Sequence, residues 1–299
     1  MTLKGEIICP QCELCLEFNN NHHFCSQCHK IYPYDDGILS FINEYVKQEG
    51  YKKNYFASLV EIEGKHFWFK ARNRLILFFV KKYCQKIIND KHKMLEIGCG
   101  NGNVIYYLRK NGINCQGGDL FLEGLIYCRR KVKAPLYQID ALCLPFRNYF
   151  DIIGLFDVIE HIEEDEKVLK EVYKALKPEG NILITVPAHK KLWGRYDELA
   201  YHKRRYSRKE LITKLETTGF TVEKVSYFVT LLFPALLLFR YLNHKRCKKL
   251  SNEEFLKKEI QIIPILNSVF LWILKIERIL IQFINLPFGS SLIAIAKKG

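Results

Sequence analysis

The stretch that most constrains the fold of this chain is residues 93–102, which read KMLEIGCGNG. The apolar residues of 94–97 predict the end of a buried parallel strand, and the apolar run 104–108 predicts a helix. Three glycines separate the two, namely Gly98, Gly100 and Gly102. A side chain at such positions would block left-handed backbone conformations and keep a ligand away from the backbone. The pattern therefore predicts a strand, a glycine loop and a helix N-terminus that favours a carboxylate or phosphate.

The order of the glycines excludes two common nucleotide-binding fingerprints. A dinucleotide site needs G-x-G-x-x-G, but its third glycine would fall on Asn103 when counted from Gly98, or on Ile105 when counted from Gly100. A phosphate-binding P-loop needs Gly-Lys-Ser/Thr, and no such tripeptide follows the loop. The ligand of this loop must therefore belong to another class.

The pattern Glu96-x-Gly98-x-Gly100-x-Gly102 resembles the first motif of the class I S-adenosyl-L-methionine (S-adenosylmethionine)-dependent methyltransferases. Asp119 ends the next strand-like segment about 20 residues further on, where a carboxylate can bind the ribose hydroxyls of a nucleoside. The resemblance implies that these five residues bind the cofactor. A strand–helix turn with a purely structural role is the alternative.

The resemblance continues through the following strands as far as residue 187. Strand and helix signals alternate from residue 94, which predicts a parallel sheet with helices on both faces. The resemblance implies that this is the Rossmann-like, seven-stranded sheet of the methyltransferases. Asp140 and Ala141 match the family's Asp-Ala element, which holds the adenine, and the resemblance places Leu120 and Phe156 at the cofactor as well. Asp140 as a helix cap is the alternative.

Residues 152–162, IIGLFDVIEHI, predict a fourth strand that runs into a loop at the ligand-binding edge of the sheet. A hydroxyl acceptor would need a base, and His161 is the candidate because the imidazole pKa lies near neutrality. The pattern also resembles the E-x-x-E-H of quinone and small-RNA O-methyltransferases, which implies a divalent metal at Asp157, Glu160 and His161. The alternative is that Glu160 and His161 cap the helix predicted over 165–176.

The segment 188–211 resembles the W…D…H-x-R-R-Y segment of prokaryotic methyltransferases that often occur with cell-surface glycan and lipid genes. Paired arginines suit a phosphate or carboxylate, so Arg204 and Arg205, with Trp193, are predicted to bind substrate. His202 is a further catalytic candidate that could face the methyl group. A salt-bridged surface loop followed by a serine-capped helix is the alternative.

Residues 1–43 predict a separate zinc ribbon. Two Cys-x-x-Cys pairs place four thiolates around a closed, structural zinc site; they are Cys9, Cys12, Cys25 and Cys28. Cys15, His22 and His23 are competing ligands. The segment resembles zinc ribbons at the N-terminus of some methyltransferases, including ribosomal RNA enzymes, and ribbons also serve as docking modules.

Two further segments flank the glycine motif. Residues 44–92 are amphipathic and helical, and the resemblance implies a lid over the cofactor; residues 93–299 then form the methyltransferase domain.

Within that domain, residues 228–287 predict a hydrophobic helical insertion before an antiparallel last strand. Neither of its apolar runs reaches the ~20 residues that span a bilayer. Apolar helices flanked by Lys and Arg predict peripheral membrane contact or a wall for a substrate tail, and a self-burying hairpin or dimer contact is the alternative.

The net charge and the cysteine content indicate the class of partner and the cellular compartment that suit this chain. The formal net charge of +14 favours an anionic partner. The first residues lack an apolar signal core, so we expect a cytoplasmic protein that contacts the inner face of the membrane peripherally. Eleven cysteines without a secretion signal indicate a reducing compartment. Five of them lie in apolar segments and are predicted to be small core residues: Cys84, Cys99, Cys115, Cys128 and Cys143.

These observations predict a methyltransferase that acts on a lipid-linked or amphiphilic small molecule at the membrane surface, with oxygen as the expected acceptor atom. An RNA methyltransferase that docks its substrate through the ribbon is the second hypothesis. It is less favoured because the ribbon is acidic and the basic residues cluster with the insertion. A non-catalytic adaptor that binds the cofactor is the third.

Overall fold

The computed structural model describes residues 6–19, 22–42, 60–84, 92–238, 250–259 and 261–299. Parts of the predicted lid (44–59 and 85–91), the last residue of the predicted ribbon (43) and most of the basic run predicted within the insertion (244–249) lie outside the described residues. The strands are β1 (Glu6–Ile7), β2 (Glu17–Asn19), β3 (His22–Phe24), β4 (Ile31–Asp35), β5 (Ile38–Ser40), β6 (Met94–Ile97), β7 (Cys115–Asp119), β8 (Leu136–Gln138), β9 (Phe146–Arg147), β10 (Phe150–Phe156), β11 (Leu176–Pro187), β12 (Phe220–Phe228) and β13 (Ser291–Lys298). The helices are α1 (Phe67–Tyr83), α2 (Asn103–Lys110), α3 (Leu122–Lys131), α4 (Asp165–Ala175), α5 (Arg195–Leu199), α6 (Arg208–Thr218), α7 (Asn252–Glu259) and α8 (Pro264–Phe283).

One mixed sheet organises the molecule, with strand order β12-β13-β11-β10-β6-β7-β8-β5-β4-β3-β2. The strands β8, β7, β6, β10 and β11 pair in parallel, and β13 lies antiparallel between β11 and β12. Every residue of β6 and β10 is buried, as expected for parallel strands that helices cover on both faces. The methyltransferase-type sheet and its antiparallel last strand are confirmed.

The sheet has eleven strands rather than the seven predicted, because strands of the N-terminal unit extend it. The strand β5 pairs in parallel with β8, with Ile38 opposite Leu136, and β1 pairs with β9. Without β5, the β8 strand would expose a row of unpaired backbone groups at the sheet edge. The buried side chains of Cys9, Tyr32 and Ile38 belong to the same hydrophobic core as the main domain. The N-terminal unit therefore shares its sheet and its hydrophobic core with the rest of the molecule.

The helices α1 and α8 lie side by side and run parallel. The backbone N–H of Phe67 donates to Asn267 Oδ1 at 2.7 Å, and Lys82 Nζ donates to the Gln282 carbonyl at 2.9 Å. Both contacts join residues 200 positions apart, one near each end of the helix pair. The insertion therefore packs against the predicted lid helix.

One side of α8 stays apolar and exposed. Its exposed large apolar residues are Ile265, Leu266, Val269, Trp272, Ile279, Leu280 and Phe283. Among the helices that the structure describes, none is both long and apolar enough to cross a bilayer.

Two details differ from the sequence prediction. The helix expected over 165–176 ends at Ala175, and Leu176 already pairs with Phe150 before a register shift leads to the pair Ile152–Asn181. Cys143 is exposed, and its thiol donates to the Pro10 carbonyl at 3.3 Å, so the prediction of a core residue is wrong there. The other four cysteines predicted for the core are buried.

Candidate functional site

The glycine loop lies between β6 and α2 at the carboxyl edge of the sheet. Gly98, Gly100 and Gly102 have φ angles of 72°, 49° and 78°, all in the left-handed region that L side chains rarely adopt. A Cβ on Gly98 would lie 2.5 Å from a methyl group of Val158, so side-chain space is lacking as well. The helix α2 begins directly after Gly102. Both predicted properties of the loop, the backbone turn and the helix N-terminus, are present.

Asp119 ties the end of β7 to this loop. Its Oδ2 accepts from the Gly100 amide at 2.7 Å, and its Oδ1 accepts from the Phe121 amide at 2.8 Å. Burial raises the pKa of Asp119, and the backbone amides oppose that rise. Each carboxylate oxygen keeps a further lone pair. The predicted ribose contact of Asp119 and Leu120 stays a prediction.

Several buried polar atoms near the glycine loop have no hydrogen-bond partner among the described residues. They are Glu63 Oε2, Arg72 Nε, Asn73 Oδ1, Glu96 Oε2, Asn101 Oδ1 and Nδ2, and Asn103 Nδ2. Burial raises the pKa of Glu96 well above its ordinary value, and the nearby Arg72 guanidinium opposes that rise. Because buried polar groups are nearly always paired, such a concentration indicates the place of a polar ligand.

The loop proposed to hold adenine follows β8. Asp140 is exposed, and its Oδ1 accepts from the Leu142 amide at 2.8 Å, which closes a turn instead of capping a helix. Ala141 and Phe156 are buried. On its other side this loop meets the N-terminal unit, because the Ile8 amide donates to the Pro145 carbonyl at 3.0 Å.

Arg72, on α1, is bound to the end of β10. Its Nη1 donates to Asp157 Oδ2 at 2.5 Å, and that oxygen also accepts from Thr185 Oγ1 at 3.2 Å. The guanidinium lies 4.7 Å from the ring centroid of Trp68. Asp157 itself has a left-handed φ of 58°. The role of Arg72 could not be predicted from the sequence, because nothing in a helical apolar pattern marks one arginine as the partner of a distant aspartate.

Glu160, His161 and His202 come together beside Asp157. One potential ligand atom from each of the three lies within 4.8 Å of the others. Both carboxylate oxygens of Glu160 are buried and lack a hydrogen-bond partner within the described part of the chain. The rings of His161 and His202 have centroids 4.7 Å apart. The group therefore contains His202, whereas Asp157, which the sequence placed in the metal set, is held by Arg72 and Thr185.

A chain of hydrogen bonds orients His202. Its Nδ1 lies 2.8 Å from Asp197 Oδ1, which also accepts from Arg205 Nε at 2.7 Å, and Arg205 Nη1 donates to the Ala188 carbonyl at 3.1 Å. Burial alone would raise the pKa of Asp197, but the hydrogen bonds from His202 and Arg205 hold it below its ordinary value. The other ring nitrogen of His202, Nε2, is left for a ligand. Asp197 is the aspartate of the W…D…H-x-R-R-Y pattern, to which the sequence assigned no role.

The protonation of the group follows from its burial. Burial, with a contribution from the neighbouring His202, lowers the pKa of His161 to about 4. Burial and the charge of Asp157 raise the pKa of Glu160 well above its ordinary value. His161 is therefore a neutral imidazole at neutral pH, able to bind a cation, and its low pKa makes it a weaker base than a free imidazole.

The remaining predicted substrate residues lie nearby. Arg204 donates from Nη2 to the Glu163 carbonyl at 2.8 Å and pairs with Asp165 at 3.1 Å. Arg205 is buried against Asp197, and Trp193 is exposed. Ser207 caps α6, as the alternative interpretation of this segment expected. Both arginines have partners within the protein, and their role as substrate anchors, with Trp193, stays a prediction.

The four predicted zinc ligands form a second cluster. Cys9 Sγ lies 3.5 Å from Cys28 Sγ, Cys12 Sγ lies 3.2 Å from Cys25 Sγ, and all four sulfurs are within 4.8 Å of one another. Such a set suits a tetrahedral metal ion. The competing candidates do not belong to this cluster; they are Cys15, His22 and His23.

Comparison with known proteins agrees with this geometry. A family model described as a methyltransferase domain matches residues 64–225. Norajmaline N-methyltransferase of Rauvolfia serpentina is 32% identical over 108 residues, which are 33% of this chain and 37% of the relative. The ubiquinone biosynthesis O-methyltransferase of Idiomarina loihiensis is 26% identical over 129 residues, 40% of this chain and 52% of the relative. The chain thus spans about half, or less, of the length of these curated relatives.

The fold has counterparts among solved structures. Phosphoethanolamine N-methyltransferase 2 of Haemonchus contortus, in complex with phosphomonomethylethanolamine and S-adenosylhomocysteine, superposes with a TM-score of 0.53. The match covers 87% of this chain and 62% of that one, at 20% identity. At this identity the likeness establishes the fold alone.

Proposed function

This chain belongs to the class I S-adenosylmethionine-dependent methyltransferase family, and on that premise we propose that it transfers a methyl group to an acceptor held beside the carboxyl end of β10. The observation that carries the proposal is the set of buried, unpartnered polar atoms around the glycine loop. They are the groups that a zwitterionic amino-acid end would satisfy, because carboxylates accept from an ammonium and amides or a guanidinium bind a carboxylate.

The chain offers a polar or apolar group for each part of the cofactor. S-adenosylmethionine supplies an electrophilic methyl group on its sulfonium. Glu96 and the glycine loop would hold the methionine end, and Asp119 would accept from the ribose hydroxyls. Asp140 and Ala141 would hold the adenine, with Leu120 and Phe156 beside it. Much of the rate enhancement in such a displacement comes from the orientation of the acceptor.

The acceptor side is formed by Glu160, His161 and His202. We infer that the acceptor atom is an oxygen, because a hydroxyl must lose a proton and two imidazoles and a carboxylate come together here to take it. Asp197 and Arg205 keep His202 in one orientation. An amine acceptor would need no base of this kind once it is unprotonated.

As an alternative to a base, the same three side chains would hold a divalent cation. Two imidazoles and one carboxylate are a common ligand set, and the Glu160 oxygens lack other partners among the described residues. Such a cation acts as a Lewis acid that polarises an acceptor oxygen. In the N-terminal unit, the four cysteines would hold a structural zinc ion, because thiolates would occupy all four positions of a tetrahedral site.

For the acceptor we propose a lipid-linked or amphiphilic small molecule at a membrane surface. Two observations support this class: the exposed apolar side of α8, and the net charge of +14, which attracts anionic lipid headgroups. The helix α8 packs on α1, whose Arg72 reaches Asp157 beside the acceptor side. An apolar surface and the acceptor side are thus connected through a single helix pair.

The test is to incubate the protein with methyl-labelled S-adenosylmethionine and a lysate of its source, then to separate lipid, RNA and protein. Label in the solvent-extractable fraction is the expected result. Nuclease-sensitive label would instead indicate that RNA is the acceptor and that the ribbon binds it. Absence of label from every fraction, with cofactor binding intact, would favour the non-catalytic adaptor.

A further inference from the structure

We propose that Glu63 binds the ammonium group of S-adenosylmethionine, together with Glu96, and so closes the methionine end of the cofactor site from the side of α1. The inference rests on the proposed function, because it adds a binding residue to that same site. Glu96 and the glycine loop belong to the sheet side of the site, whereas Glu63 comes from the residues just before α1.

The Glu63 carboxyl group lies near the glycine loop and near Glu96. Burial raises the pKa of Glu63, and the nearby Arg72 guanidinium and Asn101 side chain oppose that rise. Burial likewise raises the pKa of Glu96, and the charge of Glu63 adds to the rise. Charges and polar groups shift a pKa only over short distances, so these effects place Glu63, Glu96 and Asn101 close together.

Glu63 and Glu96 each keep one buried oxygen, Oε2, that accepts no hydrogen bond from the described residues. The guanidinium of Arg72, which acts on both carboxyl groups through its charge, donates from Nη1 to Asp157 at 2.5 Å. Two buried carboxylates that lack donors are costly, and their like charges repel each other. A ligand that brings N–H donors and a positive charge removes both costs, and an ammonium group offers three donors and no acceptor.

The unpartnered donors of the same region complete the match. Arg72 Nε and Asn101 Nδ2 are buried and donate no hydrogen bond within the described ranges. A guanidinium and an amide suit the methionine carboxylate, whereas ionised Glu63 and Glu96 repel it. The site thus offers acceptors for the ammonium and donors for the carboxylate of one amino-acid group.

The backbone around Glu63 is held in place by a turn and by α8. The Lys65 amide donates to the Ile62 carbonyl at 2.9 Å, which turns the chain directly after Glu63. Asn267 of α8 fixes that turn, because its Nδ2 donates to the Lys65 carbonyl at 3.1 Å and its Oδ1 accepts from the Phe67 amide at 2.7 Å. Glu63 therefore approaches the glycine loop from a fixed point of the chain, as a binding residue requires.

Calorimetric titration of the full-length protein with S-adenosylhomocysteine, which carries the same amino-acid group but no methyl group to transfer, tests this proposal. The second ligand is its deaminated analogue, in which hydrogen replaces the amine. The wild type should bind the first at least about tenfold more tightly, because an ammonium held by two carboxylates makes charge-assisted hydrogen bonds. Glu63→Gln should weaken S-adenosylhomocysteine binding about tenfold and change binding of the deaminated analogue less than about twofold.

Glu61→Gln is the matched control, because Glu61 lies two positions earlier, is exposed and carries the same charge. This variant should change the binding of both ligands less than about twofold. Equal weakening by the Glu61 and Glu63 variants would overturn the proposal, because it would indicate a general effect of negative charge. Unchanged S-adenosylhomocysteine binding in Glu63→Gln would overturn it as well.

A third ligand and the stability of the ligand-free protein separate binding from a structural role. Decarboxylated S-adenosylhomocysteine keeps the amine, so Glu63→Gln should weaken its binding about tenfold too. The ligand-free variant should keep or raise its Tm, because the glutamine removes the cost of burying a carboxylate oxygen without a partner. A lower Tm with weaker binding of all three ligands would make Glu63 a structural residue and overturn the proposal.

Failure of this proposal is distinguishable from failure of the proposed function, because the titration needs no acceptor and no turnover. Equally tight S-adenosylhomocysteine binding by the wild type and by Glu63→Gln would keep the proposed function and reject the role of Glu63. A wild type that binds none of the three ligands would reject both.

Discussion

At the scale of single residues, Arg72 connects the most parts of the site. It bonds to Asp157 at the end of β10, stacks on Trp68, and lies close enough to Glu96 to influence its ionisation. The pair with Asp157 is largely shielded, with side-chain exposures of 9% and 19%. Removing one partner of such a pair leaves the other charge poorly compensated.

We therefore predict that Arg72→Ala lowers the free energy of unfolding by roughly 2–3 kcal/mol. The double variant with Asp157→Asn should be less destabilised than the sum of the two single variants, since they share one interaction. Denaturant unfolding of the four proteins measures this coupling. Arg74→Ala, on the same helix, is the control and should cost well under ~1 kcal/mol. Additive effects would mean that the ion pair contributes nothing to stability.

His161 carries the second prediction at this scale. His161→Ala should lower kcat by about 10² or more while the dissociation constant for S-adenosylmethionine changes less than about twofold, because the imidazole faces the acceptor and not the cofactor. Single-turnover kinetics and cofactor titration measure the two quantities separately. An unchanged kcat would remove His161 from the mechanism.

The cation is tested on the same side chains. If Glu160, His161 and His202 hold a divalent cation, Glu160→Gln should weaken Mn²⁺ binding about 10-fold or more, and a chelator should lower the rate of the wild type. Glu164→Gln, at the exposed start of α4, is the control. Mn²⁺ binding that is equal in both variants would reject this ligand set and leave His161 as a base alone.

At the scale of elements, the N-terminal ribbon forms part of the wall behind the proposed adenine loop. The strand β5 covers the edge of β8, and Ile8 and Pro10 contact Pro145 and Cys143 on that loop. A metal ion that holds the ribbon together would then also hold residues 140–145. We therefore expect the ribbon to support cofactor binding, a role that needs no nucleic acid.

We predict that Cys12→Ser destabilises the protein by ~2 kcal/mol, a fall of roughly 5 °C in Tm, and weakens S-adenosylmethionine binding several-fold. Cys15→Ser is the matched control, because Cys15 lies only a few positions away but outside the cysteine cluster. Thermal unfolding and cofactor titration, each with and without a zinc chelator, check both effects. A lower Tm with unchanged cofactor affinity would show that the ribbon does not support the loop.

Elements were easier to predict than their assembly, for a physical reason. The glycine loop, the alternation of strands and helices and the four zinc candidates depend on local spacing, which a single sequence displays. The contact between Phe67 and Asn267 joins residues 200 positions apart, and no local pattern encodes it. Asp157 was assigned to a metal set because the pattern that it forms with Glu160 and His161 resembles a metal-binding motif of O-methyltransferases. The ion pair of Asp157 with Arg72 depends on how α1 packs. Cys143 lies on a loop that contacts Pro10 of the ribbon and does not enter the core, which its apolar neighbours in the sequence do not reveal.

At the scale of the whole molecule, charge and apolar surface act together. The net charge of +14 would draw the protein toward an anionic membrane, but attraction alone fades with added salt. The exposed apolar side of α8 adds a contribution that salt does not screen. Trp272 and Phe283 are its largest exposed aromatic groups, with 63% and 78% of their surface accessible.

We predict that the protein binds vesicles containing phosphatidylserine. The double variant Trp272→Gln, Phe283→Gln should have a partition coefficient lower by about tenfold or more, because burial of each aromatic side chain in the membrane contributes on the order of 1–2 kcal/mol. Flotation of the two proteins with vesicles measures the loss. Tyr106→Gln, a substitution of an exposed aromatic residue on α2, is the control and should float like the wild type. If all three proteins float equally and 0.5 M salt releases them completely, the contact is electrostatic only. The apolar side of α8 must then face a different partner.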